Sequence, residues 1–176
     1  TLKDYGEHAY AHNLAVSLYS VMLSKQMGWH ASKTLSFLSI GGLFHDIGIK
    51  KINSEITGKD YQIMTSEEKS AYEAHPVYGV EILTNIGDIP KEVLQIVMQH
   101  HERLNSTGYP FGLSHTSIYP LAQLVGLVDR FVELVLNHTP ALSITPKAAV
   151  KKLIDENEGE FNKEMLKNLS SLFSVP

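Results

Sequence analysis

Apolar residues recur along this chain at the spacing of a helix, and no stretch alternates between apolar and polar residues long enough to make a strand. Leu14, Leu18, Val21 and Met22 predict one face of a helix over about residues 5–27. Because strands require period-two alternation, the pattern predicts an all-α fold. The chain has 176 residues, 43% of them apolar, which is enough for one compact domain with a substantial core.

Start and stop signals divide the rest of the chain into further helices. The signals are Gly28, a capping box from Thr65 to Glu68, Pro76, Pro90 and the pair Thr145-Pro146. Residues 121–136 predict a strongly apolar helix, and residues 104–120, which contain glycine, proline and serine, predict a loop before it. The tail alternates charged and apolar residues in a helical pattern.

Composition excludes several classes of protein. No apolar run approaches the ~18 residues of a membrane helix, so no membrane insertion is expected in this segment. The absence of cysteine excludes disulfides and thiolate metal sites. A net charge of -4 argues against a nucleic-acid polymer as partner, whereas a small phosphate ester can bind an acidic protein if metal ions supply the positive field.

The first candidate site combines His12, His45, Asp46 and Asp129. An isolated His-Asp pair such as His45-Asp46 is most often an ordinary helix end, and a lone helical histidine is usually a surface or satisfied core residue. Asp129 is more informative, because an unpaired acid inside an apolar helix costs several kcal/mol. These nitrogen and oxygen ligands suit Mn, Fe, Co, Ni or Zn better than Ca or Mg.

Three further histidines make a second metal site plausible. His75 precedes a proline at a helix boundary, and His100 and His101 end their helix just before the loop. Each alone favours a capping or surface role, but their joint order favours a site of the two-metal type. Asp46 has two carboxylate oxygens, with which it can bridge two ions.

The order of these motifs resembles the HD-GYP family, the HD-superfamily phosphodiesterases that hydrolyse cyclic di-GMP. The motifs are His12, His45-Asp46-Ile47-Gly48, His75-Pro76 with Gly79, His100-His101-Glu102-Arg103, Gly108-Tyr109-Pro110 and Asp129. The resemblance implies an HD-domain helical bundle with a metal centre in the core and a GYP loop. It implies two transition-metal ions, Fe or Mn, and hydrolysis to linear pGpG and/or GMP. The implied metal ligands are His12, His45, Asp46, His75, His100, His101 and Asp129.

Other roles rest on the same resemblance. The implied catalytic residues are Asp46, Lys50 and Lys51, and the implied substrate-binding residues are Arg103, Tyr109, Gly108 and Pro110. The chain departs from the family at Ile49, where a lysine is usual, at Asn105, in a stretch that lacks an acid and a glycine, and at Gln123, where an arginine is frequent. His8 stands where some members carry a third-metal glutamate, and Glu7 is one position off, so a third metal is not expected.

The resemblance also predicts domain organisation. Residues 1–176 are expected to form one HD-GYP-like domain, with a family-matching core over about 8–136 and a helical extension over 137–176. We expect it to be a cytoplasmic fragment of a longer sensor protein with an upstream sensory or receiver domain. The rival functions are a phosphodiesterase for another cyclic dinucleotide such as cyclic GMP-AMP, a catalytically weak receptor module, and a generic HD hydrolase, against which the HHE and GYP motifs argue.

Overall fold

The architecture is a bundle of helices. The computed structural model describes residues 2–137 and 140–173, with side chains for residues 8–137 and 141–173. In those residues the α-helices are α1 (Leu2–Gln26), α2 (Ser32–Phe44), α3 (Ser54–Thr57), α4 (Ser66–Tyr72), α5 (His75–Ile86), α6 (Lys91–Gln99), α7 (Pro120–Val135), α8 (Pro146–Asp155) and α9 (Lys163–Leu172). The described residues form no strand beyond an isolated antiparallel bridge between Asn105 and Ser114, so the all-α prediction is confirmed. None of their helices combines the length and apolarity of a membrane span.

The helix boundaries follow the predicted signals. Gly28 has a φ of 81° and ends α1, with its N–H donating to the carbonyl of Lys25. Thr65 and Glu68 form both hydrogen bonds of the capping box at the start of α4. The Thr145 side chain accepts from the N–H of Ala148 and caps α8. These local signals fix where the helices begin and end, and therefore which residues stand at the helix ends around the site.

The core is centred on α7. Ten of its residues are buried, and Leu124, Leu127, Val128 and Phe131 among them are fully enclosed. Helices α1, α2, α6, α8 and α9 all pack against it. An acid in the middle of this helix, Asp129, is therefore held at the centre of the molecule with only 2% of its surface exposed.

Helix α1 buries a different face from the one that its apolar spacing suggests. Ser17, Ser20 and Ser24 are buried, whereas Leu14 and Leu18 are 39% and 57% exposed. The cause is the close approach of α2, where Gly42 packs directly on the backbone of Ser17 and leaves room only for small side chains. The Ser17 hydroxyl donates to the carbonyl of Ser39 at 2.8 Å and so satisfies its buried oxygen.

Candidate metal centre

Five helices bring the predicted metal ligands to one place. His12 lies in the middle of α1 and Asp129 in the middle of α7, and the other five ligands stand at or beside helix ends. Those five are His45 and Asp46 after α2, His75 as the first residue of α5, and His100 and His101 after α6. Residues at helix ends can turn their side chains off the helix axis, so neighbours in sequence can face a common point.

The ligands form two groups. In the His12 group, which is His12, His45 and Asp129, one ligand atom of each residue lies within 4.8 Å of the others. Nε2 of His12 is 2.9 Å from Oδ1 of Asp129, and Nε2 of His45 is 3.4 Å from the same oxygen. All three residues are buried.

The Asp46 group consists of Asp46, His75, His100 and His101, and its ligand atoms also lie within 4.8 Å of one another. Oδ1 of Asp46 is 3.3 Å from Nε2 of His75 and 3.6 Å from Nε2 of His100. The other carboxylate oxygen, Oδ2, is 3.3 Å from Nε2 of His45 in the His12 group. Asp46 thus presents one oxygen to each group, as the bridging prediction requires.

Backbone carbonyls fix the tautomers of three histidines. Nδ1 of His45, His75 and His100 lies 2.8–2.9 Å from the carbonyl oxygen three residues earlier in the chain. A carbonyl oxygen only accepts, so each Nδ1 carries the hydrogen and donates it. In the neutral ring, Nε2 therefore holds a lone pair and points into the centre, the arrangement found for metal-binding imidazoles.

These tautomers leave lone pairs facing one another. Nε2 of His75 is 3.3 Å from Nε2 of His100, with no hydrogen between two neutral rings of this tautomer. Nε2 of His45 and Nε2 of His101 are buried without a hydrogen-bond partner. Buried polar atoms normally have partners, and a cation is the partner that suits several converging lone pairs and two carboxylates. The residues present therefore fit divalent metal ions.

The electrostatics of Asp46, Asp129 and His100 agree with this fit, whereas Asp46 and Asp129 raise the pKa of His45 against its burial, so an ion that binds there would displace a proton. Burial alone would raise the pKa of Asp46, but His45, His100 and His75 hold it well below its usual range, so the carboxylate is charged. Burial would also raise the pKa of Asp129, but His12 and His45 hold it well below its usual range. Burial lowers the pKa of His100 to about 4, which keeps that ring neutral and able to ligate.

Three glycines allow the ligand histidines to pack this closely. A Cβ on Gly48 would overlap the carbonyl oxygen of His75, one on Gly108 that of His101, and one on Gly126 that of His100. None of the three has a positive φ, so the need is for space and not for backbone conformation. Gly108 was predicted as a substrate-binding residue and Gly48 only as part of a motif, whereas Gly126 was given no role from the sequence.

Glu102 holds the loop that follows the histidine pair. Its carboxylate is 3% exposed and accepts hydrogen bonds from the backbone N–H groups of Phe111 and Leu113 at 2.8 and 2.7 Å. This anchors the segment that carries Tyr109, whose ring stacks on His101 with centroids 4.5 Å apart. Glu102 was predicted only as part of the His100-His101-Glu102-Arg103 motif, although an acid directly after two candidate ligands was the available signal.

The predicted substrate-binding residues and the two predicted catalytic lysines separate into two sets. Tyr109 borders the Asp46 group, with Gly108 and Pro110 on either side of it in the chain. Burial raises the pKa of the Tyr109 hydroxyl well above its ordinary value, so the hydroxyl stays protonated and can donate. Lys50 is exposed and follows Asp46 by four residues in the chain.

The remaining two cations are engaged elsewhere. Nζ of Lys51 pairs with Glu81 at 2.7 Å, on the side of α5. The Arg103 guanidinium donates to the carbonyl oxygens of His100 and Glu102 and lies 4.8 Å from the ring centroid of Phe161. Arg103 therefore connects the segment after α6 to Phe161 in the C-terminal part of the chain. These contacts give no support to its predicted role in phosphate binding.

Tyr72 borders the site without having been predicted. Its carbonyl oxygen accepts the Nδ1 hydrogen of His75, and its ring lies 5.2 Å from the His75 ring. Tyr61 continues this aromatic edge at 5.9 Å from Tyr72. The signal was weak, because Tyr72 precedes the His75 motif within an ordinary helix end.

His8 belongs to neither group. Its Nε2 lies 2.7 Å from the carbonyl oxygen of Leu136, directly after α7, so the side chain ties α1 to the end of α7. The Glu7 side chain falls outside the described residues.

A family model for the HD domain matches residues 1–164. The chain belongs to the HD domain family. Among curated relatives, a cyclic di-GMP phosphodiesterase of Pseudomonas aeruginosa is 26% identical over 94% of this chain and 39% of that protein. A cyclic di-GMP phosphodiesterase of Borreliella burgdorferi is 26% identical over 93% of this chain and 42% of its own length. This HD domain thus spans about two fifths of the length of these relatives, and its domain limits stay a prediction.

Other similarities support the same family branch. A 3′3′-cGAMP-specific phosphodiesterase of Vibrio cholerae is 27% identical over 68% of this HD domain and 25% of that protein. A solved HDG"Y"P protein of Bdellovibrio bacteriovorus has a TM-score of 0.77 and 25% identity, over 93% of this chain and 52% of that chain. The HD domain of the L. monocytogenes phosphodiesterase PgpH, with a TM-score of 0.68 and 15% identity over 94% of this chain and 89% of its own, shares the fold. The resemblance to HD-GYP proteins is confirmed.

Proposed function

We propose that this HD domain is a metal-dependent phosphodiesterase that hydrolyses cyclic di-GMP to linear pGpG and/or GMP. The observation that carries the proposal is the pair of contiguous His/Asp groups with Asp46 between them. Two cyclic di-GMP phosphodiesterases match nearly the whole chain and support the choice of substrate.

The proposed metals are two transition-metal ions, Fe or Mn, one in each group. When bound, such ions activate water and neutralise charge on a phosphate. The chain itself supplies the orientation. Asp46 is the most exposed of the seven candidate ligands, with 22% of its side chain open to solvent, so the site opens beside it. His45, His75 and His100 have fully buried side chains, held by their carbonyl hydrogen bonds.

Two residues at the opening are proposed to contact the substrate. The protonated Tyr109 hydroxyl is a hydrogen-bond donor for a phosphate or ribose oxygen, and its ring is held by stacking on His101. Lys50 is the better of the two proposed lysines, because Lys51 already pairs with Glu81. A lysine at this position stabilises phosphate charge in the role usually filled at Ile49 in the family.

The test is anaerobic purification with metal analysis, followed by a product assay with cyclic di-GMP. We expect slow hydrolysis, with linear pGpG accumulating before GMP, and no hydrolysis by Asp46→Ala. Slow rather than fast turnover is expected because one phosphate contact, at Ile49, is missing, which costs about a hundredfold in rate. A metal-replete wild type that binds cyclic di-GMP without forming product would instead establish the receptor function.

A second substrate is favoured by one observation. The 3′3′-cGAMP-specific phosphodiesterase of Vibrio cholerae matches 68% of this chain, and its 27% identity is close to that of the cyclic di-GMP phosphodiesterases. Metal ligands do not discriminate the bases, so 3′3′-cyclic GMP-AMP is assayed beside cyclic di-GMP under the same conditions. A higher kcat/KM for the mixed dinucleotide would reassign the substrate while leaving the chemistry unchanged.

A further inference from the structure

An apolar surface on α1 and α2 has no partner in the described residues. We call it the outer face, and it consists of six large side chains that are each at least 36% exposed: Tyr10, Leu14, Leu18, Met22, Ile40 and Phe44. Scattered single apolar residues are normal on a protein surface, whereas a contiguous group marks an interaction site. An interaction site therefore requires that these six residues lie together on one surface.

The geometry of the two helices places all six on one side. The His12 and His45 rings lie 5.5 Å apart, and Ser17 hydrogen-bonds Ser39, so α2 runs antiparallel to α1. In two antiparallel right-handed helices, the residue after each contact residue turns to the same side of the pair. Leu18 and Ile40 therefore lie side by side, because they follow Ser17 and Ser39. Leu14 and Met22 lie three residues before and five residues after Ser17, and Phe44 lies five residues after Ser39, so all three turn to that side as well. Tyr10 is on the same side because it precedes Leu14 by four residues.

The outer face carries no charge. From Tyr10 to Ser24 the exposed residues of α1 are Tyr10, Ala11, Leu14, Leu18 and Met22. Along α2 the exposed residues from Thr34 to Phe44 are Ser36, Ile40 and Phe44. Exposed lysines, Lys25 and Lys33, stand at one end of the surface. An uncharged centre with charges at the margin is the composition of a protein interface.

The structure points to a second copy of this chain as the occupant, and we propose that two copies pair through their outer faces. In a two-fold contact each surface meets itself, so a charged surface would repel its own copy, whereas this uncharged one does not. Two antiparallel helix pairs placed face to face form a four-helix arrangement, which is a standard way to bury such faces. Covering six large side chains on each copy removes on the order of 1,000 Å² in total, the lower limit for a specific interface.

The proposal does not depend on the enzymatic activity. His12, the candidate ligand on α1, is 9% exposed and points into the core, on another side of the helix from Leu14 and Leu18. Substitutions on the outer face therefore leave the metal groups in place, and metal content serves as a check that each variant is folded.

The experiment is sedimentation equilibrium of the wild-type chain and of Leu18→Glu over a range of concentrations. We expect the wild type to reach twice the chain mass of 19.6 kDa. Leu18→Glu would bury an unpaired charge from each copy in the interface, so we expect the dissociation constant of the dimer to rise by on the order of 100-fold. The matched control is Ile86→Glu, because Ile86 is 67% exposed at the end of α5, outside the outer face. It is expected to dimerise like the wild type.

Each outcome decides the question. A wild type that stays at 19.6 kDa at its highest soluble concentration overturns the proposal, and the outer face then belongs to another segment or protein. A dimer that survives both Leu18→Glu and Met22→Glu also overturns it, because the copies then pair elsewhere. Met22→Glu, at a residue 46% exposed, gives the same test if Leu18→Glu does not fold.

Discussion

At the scale of single residues, the approach of the ligand histidines depends on groups that never touch a metal. Gly48, Gly108 and Gly126 each lie against the carbonyl oxygen of a ligand histidine. Three other carbonyls orient the histidine rings by accepting their Nδ1 hydrogens. Backbone packing therefore decides the geometry of the centre as much as the ligands do.

Gly126→Ala tests this dependence. Its Cβ would collide with the carbonyl oxygen of His100, so α6 and α7 must separate. We expect a loss of stability of about 1–3 kcal/mol and a loss of metal from the Asp46 group. Thermal unfolding and metal analysis measure the two effects. Gly58→Ala is the control, because its Cβ would have only an ordinary contact 3.4 Å from the Ser54 carbonyl. Equal metal content in both variants would contradict the role of Gly126.

The ligands themselves are tested by a count of metals. We expect His75→Ala to lose roughly one of two equivalents, because His75 contacts only the Asp46 group. Asp46→Ala should lose both, because its two oxygens face different groups at 3.3 Å. Elemental analysis of both variants, each purified after incubation with excess metal, measures the number of ions bound per chain. Full occupancy in Asp46→Ala would contradict its bridging position.

Which single residues could be predicted follows from how local their signals are. Asp129 was predictable because a carboxylate inside an apolar helix needs a partner wherever the chain folds. The engagement of Lys51 with Glu81 and of Arg103 with Phe161 was not predictable. Those contacts depend on which segments meet in the fold, about 30 and 60 residues further along the chain, and charge alone does not reveal them.

At the scale of elements, five of the seven candidate ligands stand at or beside helix ends, which is why the adjacent His100 and His101 can serve one group. His100 and His101 follow α6, where the chain leaves the helix, and their ring centroids lie 4.1 Å apart. The boundaries were predictable because capping residues, glycine and proline act locally. The burial of the serine side of α1 was not predictable from the sequence. It results from the close approach of α2, which the apolar pattern of α1 does not reveal.

Glu102 connects α6 to the loop that carries Tyr109, and Glu102→Gln tests that connection. A carboxylate offers two oxygens to the N–H groups of Phe111 and Leu113, whereas an amide offers only one. We expect faster hydrogen exchange at those two amides and a KM for substrate raised more than kcat is lowered. Glu160→Gln is the control, since the Glu160 carboxylate lies 4.0 Å from Arg103, away from the amides of Phe111 and Leu113 that Glu102 holds. Unchanged exchange at both amides would contradict the anchoring role.

At the scale of the whole molecule, the seven candidate ligands couple metal binding to folding. They come from α1, α5, α7 and the segments after α2 and α6, so they come together only when these segments pack against one another. The all-α architecture was predictable from periodicity alone. The absence of charge on the outer face was present in the sequence too, but only the antiparallel packing of α1 and α2 shows that its residues lie together.

Removal of metal tests the coupling. An ion that binds only the folded state at a thousandfold excess over its dissociation constant stabilises by about 4 kcal/mol. For a chain of this size that corresponds to about 10 °C in the unfolding temperature. We expect a chelator to lower the Tm of the metal-replete wild type by this amount and to leave Asp46→Ala unchanged. Calorimetry of both proteins with and without chelator provides the measurement, and equal shifts in the two would contradict the coupling.

The spread of the two groups along the chain has a consequence for biosynthesis. A ribosome delivers residues from the N-terminus at roughly 5–20 per second. All members of the Asp46 group lie between residues 46 and 101, whereas the His12 group waits for Asp129, which is 117 residues after His12. The nascent chain therefore exposes a complete set of ligands for one ion before the last ligand of the other has been synthesised.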